Sequence, residues 1–278
     1  MVTIQSLCER LRPTSILGLD AYGVIYNSSG PFKAIYSVFD HCATHGIDIY
    51  MITNNSNQSI AEISKKMDEF GLHIPIERIV SSGLACHWLP DVKHHLAHQR
   101  VFVYGKQSSR SYVNMANATI VESPHEADTI VLAASLDQNN HYVYKAVHDA
   151  LRKRPTMPVV CINADHYVMN TTGLTPVMGF YAHQMAKQLG HTHWIWAAKP
   201  SPRFSDMLHA ILMAHGRDPS QLVFCDDNPN NVRQIAEDLN CTGIVISETG
   251  IANHVPIQQP MPDHIVSLAQ CRVCPPSA

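Results

Sequence analysis

The chain has 278 residues, with 20 lysines and arginines against 23 aspartates and glutamates, 18 histidines, 8 cysteines and a formal net charge of -3. That length suits one large α/β domain or a core with a second domain inserted, and it can bury a substantial core without disulfide staples. Hydrophobic residues at 45% exclude disorder and a collagen-like build, and the balanced charge, with no basic run longer than Arg152-Lys153-Arg154, excludes a broad phosphate-backbone-binding face. No nucleic-acid partner is expected. No stretch approaches the ~20 apolar residues that a membrane helix needs, and Glu9, Arg10 and Arg12 interrupt the amino terminus where a signal peptide would carry its apolar run. The expectation is a soluble cytoplasmic protein with no membrane partner.

In chain order, the apolar run SILGLD at 15–20 predicts a buried strand that ends on a carboxylate. The segment 31–46 has apolar residues at helical spacing and closes on Gly46, the pattern of a capped helix. A second strand is predicted at 47–55 and a second helix at 57–71. Further strands are predicted at 100–105, 128–134, 158–163, 221–227 and 242–247, and this alternation with amphipathic helices implies an α/β fold with parallel sheets. The histidines of HHLAH, His94, His95 and His98, are expected on an exposed helix. Cys8, Cys42, Cys86, Cys161, Cys225 and Cys241 stand singly in apolar surroundings, as reduced buried thiols do. Cys271 and Cys274 form a C-x-x-C at the end of the chain, without the second ligand pair that a zinc site needs.

Chemistry concentrates at the strand ends. Asp20 closes the first strand and Gly23 follows in a sharp turn; such a carboxylate can ligate a cation, act as a nucleophile or cap the loop. Thr53 and Asn54 end the next strand and can donate to an anion. Lys199 supplies a fixed positive charge ahead of a helix start, and Asp226 and Asp227 end another strand, where adjacent carboxylates repel unless a cation lies between them.

The order Asp, Thr, Lys, acidic pair resembles the four motifs of the haloacid dehalogenase superfamily. The GVIYN, TNNS, IPIERIVSSG, KPSP and ETG segments, with NAD at 163–165 and GLTPVMG at 173–179, are similar to its class IIA, NagD-like branch over nearly the whole chain. The resemblance implies a Rossmann-like core at 1–86 and 193–278 and an inserted C2-type cap from about His87 to about Thr192. It implies a phosphatase in which Asp20 attacks phosphorus and Mg²⁺ is held by Asp20, the Tyr22 carbonyl and Asp226 or Asp227. Thr53 and Asn54 would hold phosphoryl oxygens, Lys199 would neutralise charge on nucleophile and phosphate, and Asp165 would read the substrate from the cap. The implied partner is a small phosphorylated molecule, and relatives often dimerise through the cap.

Two positions depart from that pattern. Tyr22 stands where the family has the general acid and base two residues after the nucleophile, and a phenol with a pKa of about 10 serves poorly in either role near neutrality. Asn231 replaces an additional acid. The DAYG sequence resembles the first motif of 2-haloacid dehalogenases, whose halide leaves without a proton; against that reading stand Asp226 and Asp227, which a metal-free dehalogenase does not need. A protein that keeps the fold and binds a phosphorylated ligand or a protein partner with little turnover is the third reading.

Overall fold

The computed structural model describes residues 7–135, 140–190, 193–247, 249–254 and 265–268. A short helix α1 (Leu7–Arg10) leads into β1 (Ile16–Leu19), which is buried on both faces. After a tight turn come the paired β2 (Tyr26–Asn27) and β3 (Gly30–Pro31), then α2 (Lys33–His45), which stops where Gly46 turns left-handed at φ 66°. β4 (Asp48–Thr53) follows, and α3 (Ile60–Glu69) opens with a capping box: Ser59 accepts from the Glu62 amide while the Glu62 carboxylate accepts from the Ser59 amide. β5 (Ile79–Ser81) completes this half.

The chain then runs through α4 (Ala85–Trp88), α5 (Pro90–Leu96), β6 (Arg100–Tyr104), α6 (Arg110–Asn114), β7 (Thr119–Val121) and β8 (Thr129–Leu132). Next come α7 (Asn140–Lys153), β9 (Val159–Cys161), the hairpin β10 (Tyr167–Asn170) and β11 (Gly173–Pro176), α8 (Met178–Leu189) and β12 (Trp194–Trp196). It returns through α9 (Pro202–Ala214), β13 (Leu222–Asp226), α10 (Pro229–Leu239), β14 (Thr242–Ile246) and β15 (Ile265–Leu268).

These strands form a six-stranded parallel sheet in the order β15-β14-β13-β1-β4-β5 and a five-stranded parallel sheet in the order β12-β9-β8-β6-β7. In the larger sheet the chain builds outward from β1 on one side through β4 and β5, and on the other through β13, β14 and β15. The order reverses between β1 and β13, and a crevice at the carboxyl ends of strands flanking such a point is where open α/β sheets bind ligands. Asp20 and Asp226 stand at those two ends.

Sequence and structure agree on the α/β class and on the predicted strands, which appear as β1, β4, β6, β8, β9, β13 and β14. They differ at the second sheet, which takes in Trp194–Trp196, beyond the expected limit at 192. Two tryptophans in three residues, flanked by histidines, hid that strand. The segment 166–179 contains the antiparallel β10–β11 hairpin. His94 lies exposed on α5 while His95 is half-buried, and His98 lies beyond that helix. The six scattered cysteines are buried and in no disulfide; Cys271 and Cys274 lie outside the described residues.

One apolar cluster joins the two sheets, running from Ile16, Ile52 and Phe224 through Phe204 and Leu208 of α9 and Val92 of α5 to Val103, Val131 and Val160. Buried hydroxyls cross the same junction: Ser56 donates to the Ala133 and Ile162 carbonyls at 2.7 and 3.1 Å, and Ser109 donates to the Ser56 carbonyl at 2.7 Å. Because this packing is continuous, Phe204→Ala is expected to cost about 3–5 kcal/mol. Far-ultraviolet dichroism, near-ultraviolet dichroism and tryptophan emission should report a single, coincident urea transition in both proteins, and separate midpoints for the two sheets would refute the shared core.

Candidate active site

The site is built around a buried lysine. Lys199 is 1% exposed, and its three ammonium hydrogens are all engaged: one to Asp20 Oδ1 at 2.7 Å, one to Asp226 Oδ2 at 2.6 Å and one to the Ile52 carbonyl at 2.8 Å. An ammonium has three donors, so the side chain is saturated. It ties together β1, β4 and β13, the three strands that deliver the site. No hydrogen bond reaches the second oxygen of Asp20 among the described residues, which leaves that oxygen to act.

The acidic pair is held differently. Asp226 accepts from the Asn228 amide at 2.8 Å and from Asn231 Nδ2 at 3.2 Å, besides Lys199. Among the described residues Asp227 accepts only from the Ile251 amide, at 2.7 Å. Two glycines make room for it. Gly23 has φ +98° and Gly250 has φ +63°, and a Cβ at either would stand 2.4 or 1.6 Å from Asp227 Oδ2. The Thr249 hydroxyl donates to the Gly23 carbonyl and binds the two glycine loops to each other. Oxygens of Asp20, Asp226 and Asp227 lie within 4.8 Å of one another, and Asn231 Oδ1 is buried beside them without a partner among the described residues. An all-oxygen donor set of this kind fits a hard divalent cation.

Asn54 proves to be a bracket rather than an open donor. Its Nδ2 gives one hydrogen bond to the Lys199 carbonyl and one to Asp165 Oδ1, both at 2.9 Å, and its Oδ1 accepts from the Lys199 amide at 2.8 Å. Both amide hydrogens are therefore committed, in contrast to the sequence expectation that they hold a phosphoryl group. Thr53 accepts from the Asn55 amide at 3.1 Å and keeps its hydroxyl hydrogen available. A cavity of about 290 Å³ opens in front of these groups. Its other walls are Tyr22, Tyr26 and Lys66 on one side and Tyr167, Val168 and Met169 of the β10 hairpin on another. Lys66 was not singled out in the sequence, because it stands next to Lys65 on an amphipathic helix and has the pattern of a solvated face.

Four carboxylates near one ammonium set the electrostatics. Burial pushes the Asp20 carboxyl up to about 7 and Asp226 adds to the rise, while Lys199 opposes both. Burial lifts Asp165 to about 6 against the pull of Lys199 and the Asn54 hydrogen bond. Asp227 also lies well above the usual carboxylate range, through burial and then repulsion from Asp226 and Asp20. Burial draws Lys199 down, but Asp20, Asp226 and Asp165 together more than reverse it, so its charge is permanent.

Residues 17–119 match the family of haloacid dehalogenase-like hydrolases. An acid sugar phosphatase of Staphylococcus haemolyticus (strain JCSC1435) is 24% identical over 195 residues, 70% of this chain and 71% of that one. A solved possible sugar phosphatase of the same superfamily from Cytophaga hutchinsonii ATCC 33406 superposes with a TM-score of 0.79 at 20% identity, covering 99% of this chain and 100% of the other. The chain also shares its fold with a putative NagD protein, which superposes with a TM-score of 0.76 at 16% identity, over 94% of this chain and 97% of that one.

The raised carboxyls have a consequence for stability. Between its ordinary value of 3.8 and about 7, Asp20 keeps a proton in the folded chain that the unfolded chain has released, so metal-free stability falls as pH rises through that window. Asp227 acts in the same sense. In chelator, thermal midpoints should therefore drop between pH 5 and pH 7.5, and Asp227→Asn should flatten the slope. A divalent cation binds the ionised carboxylates, so its stabilising effect should grow with pH, reaching roughly 5 °C at a hundred times Kd. A cation effect that is independent of pH would contradict this electrostatic account.

Proposed function

We propose that the chain is a Mg²⁺-dependent phosphoric monoester hydrolase that acts on a small phosphorylated molecule through an aspartyl-phosphate on Asp20. The observation that carries the proposal is the state of Asp20 itself. One oxygen is fixed by a saturated, permanently charged lysine, and the other is unengaged at the head of a cavity, next to two further carboxylates. Asp20, Asp226, Asp227 and the Tyr22 carbonyl would hold the metal, and Asn231 Oδ1 is placed to support it. When bound, the cation supplies the positive charge that lets a carboxylate approach a phosphate dianion. These carboxylates also argue against a dehalogenase, whose carbon chemistry gains nothing from a cluster that must be neutralised.

In the proposed reaction the unengaged oxygen of Asp20 attacks phosphorus in line as the bond to the leaving oxygen breaks and that oxygen departs with the electron pair. The Thr53 hydroxyl donates to a phosphoryl oxygen. Lys199 acts at one remove, fixing Asp20 and offsetting its charge, because it has no hydrogen left to give. Water then attacks phosphorus, releasing inorganic phosphate and restoring Asp20. Residues from about 87 through Trp196 form the cap in this reading, with Asp165 reaching the core site through Asn54 and the β10–β11 hairpin facing the substrate.

Asp20→Asn removes the nucleophile but keeps the side-chain shape, so phosphate release from p-nitrophenyl phosphate should fall by about 10³-fold or more. Its thermal midpoint in chelator at pH 7.5 should not fall, because a buried charge has been removed. Retention of most of the wild-type rate would end the aspartyl-phosphate mechanism and leave a binding protein or a different hydrolase.

Tyr22 has a separate consequence. It is half-buried, set edge-on against Tyr26 with ring centroids 5.8 Å apart at 86°, and carries no carboxyl to protonate a departing alkoxide. Aryl and acyl phosphates, whose leaving groups are stable anions, should be turned over faster than alkyl phosphates by about 10²–10⁴. Tyr22→Asp should raise alkyl turnover most. Equal wild-type rates on aryl and alkyl esters would assign the proton to another group, of which Asp165 is the carboxyl lining the cavity from the cap.

A further inference from the structure

The cavity has one cationic side chain on its wall among the described residues, and it is not Lys199. That lysine lies behind Asp20 and Asp226, with every hydrogen engaged, and does not line the cavity. The lining ammonium is Lys66 of α3. It is half-buried, with Nζ 3.8 Å from the ring centroid of Tyr26 and 5.7 Å from that of Phe70. No carboxylate lies within ion-pair distance of it among the described residues, although the adjacent Lys65 has one in Glu69. Burial alone pulls its pKa down.

An ammonium on an aromatic face is steadied by the ring quadrupole, by about 0.5–2 kcal/mol, but the ring satisfies at most one of its three hydrogens. The other two remain for a ligand. The position of Lys66 indicates which part of a ligand. Tyr26, under the ammonium, pairs edge-on with Tyr22, two residues beyond the nucleophile, so this wall borders the departing group. In the phosphatase reading the phosphoryl group is held by Thr53 and the acidic cluster, so Lys66 is left for another part of the ligand.

We infer that Lys66 selects substrates whose leaving group carries a second anionic substituent, a carboxylate or a second phosphate. The inference rests on the phosphatase reading and adds a substrate class to it: a small, doubly anionic phosphomonoester, with the phosphoryl group at Asp20 and the second charge paired at Lys66 above the Tyr22–Tyr26 wall.

The test uses two esters with similar leaving groups, 4-carboxyphenyl phosphate and phenyl phosphate, on the full-length chain with saturating Mg²⁺. A charge-assisted hydrogen bond in a partly dry site should favour the carboxylated ester by about ten-fold or more in kcat/KM. Lys66→Met should lower kcat/KM for that ester at least about ten times more than for phenyl phosphate, mainly through KM, and Lys66→Arg should restore most of the preference. Thermal midpoints of both variants report whether α3 is intact. Equal losses on the two esters would place Lys66 at the phosphoryl group and overturn the inference, as would a wild-type enzyme without preference. If the wild type hydrolyses neither ester, the phosphatase reading falls, and calorimetric Kd values then decide the matter. Tighter binding of the carboxylated ester that is lost in Lys66→Met sustains the role of Lys66, and equal affinities end it.

Discussion

The site depends on one buried ammonium. Lys199 is fixed by carboxylates from β1 and β13 and by a carbonyl from β4, so three neighbouring strands share a single charge. Burying an unpaired lysine would be prohibitive, and so would burying Asp20 and Asp226 without a counter-charge; each makes the others tolerable. The arrangement is also incomplete. Asp227 and Asp165 add two more carboxyls beside one ammonium, and burial first, then repulsion from the neighbouring carboxylates, raises both. A site with surplus negative charge and unengaged oxygens at a strand-order reversal favours a divalent cation and a phosphate together over either alone.

A second bracket ties the segment after β9 to this lysine. Asn54 grips the Lys199 backbone from both sides and spends its remaining hydrogen on Asp165, so displacement of segment 163–165 is felt at the lysine. Ser56 and Ser82 strengthen this junction by donating to the Ile162 carbonyl, two residues before Ala164. The TNNS segment thus works as a joint between the two sheets, which explains why its polar groups are largely occupied with each other. Thr53, at its head, is the residue left with a hydrogen to give.

Much of this was legible in the sequence, for a physical reason. A nucleophile, a fixed cation and a metal pair must sit on rigid supports, and buried parallel strands announce themselves as short apolar runs ending in polar residues. Asp20, Thr53, Asp226 and Asp227 could be found that way, and Lys199 by its place ahead of the proline-punctuated start of α9. Features that depend on tertiary approach were not legible. Nothing in ETG shows that Gly250 must lack a side chain because Asp227 lies against it. Lys66 is indistinguishable from Lys65 by pattern, and only the fold turns one to solvent and the other to Tyr26. The saturation of Asn54 and Lys199 likewise appears only once their partners are placed.

Tyr22 and Lys66 fall on one wall of the cavity. The Tyr22 ring packs on Tyr26, and Tyr26 in turn carries the ammonium of Lys66. An aspartate at position 22 would add a fifth carboxylate to a cavity that already has a surplus, and would offer Tyr26 no aromatic edge. A tyrosine there removes that charge and extends the aromatic surface on which a cation can rest. The change is therefore more than the loss of a proton donor. A leaving group that departs as a stable anion has little need of the acid, and a leaving group with its own negative charge gains from a wall that has one carboxylate fewer and a half-buried ammonium beside it. Both effects favour anionic leaving groups, so in the proposed reaction the tyrosine and the lysine act on the departing group together.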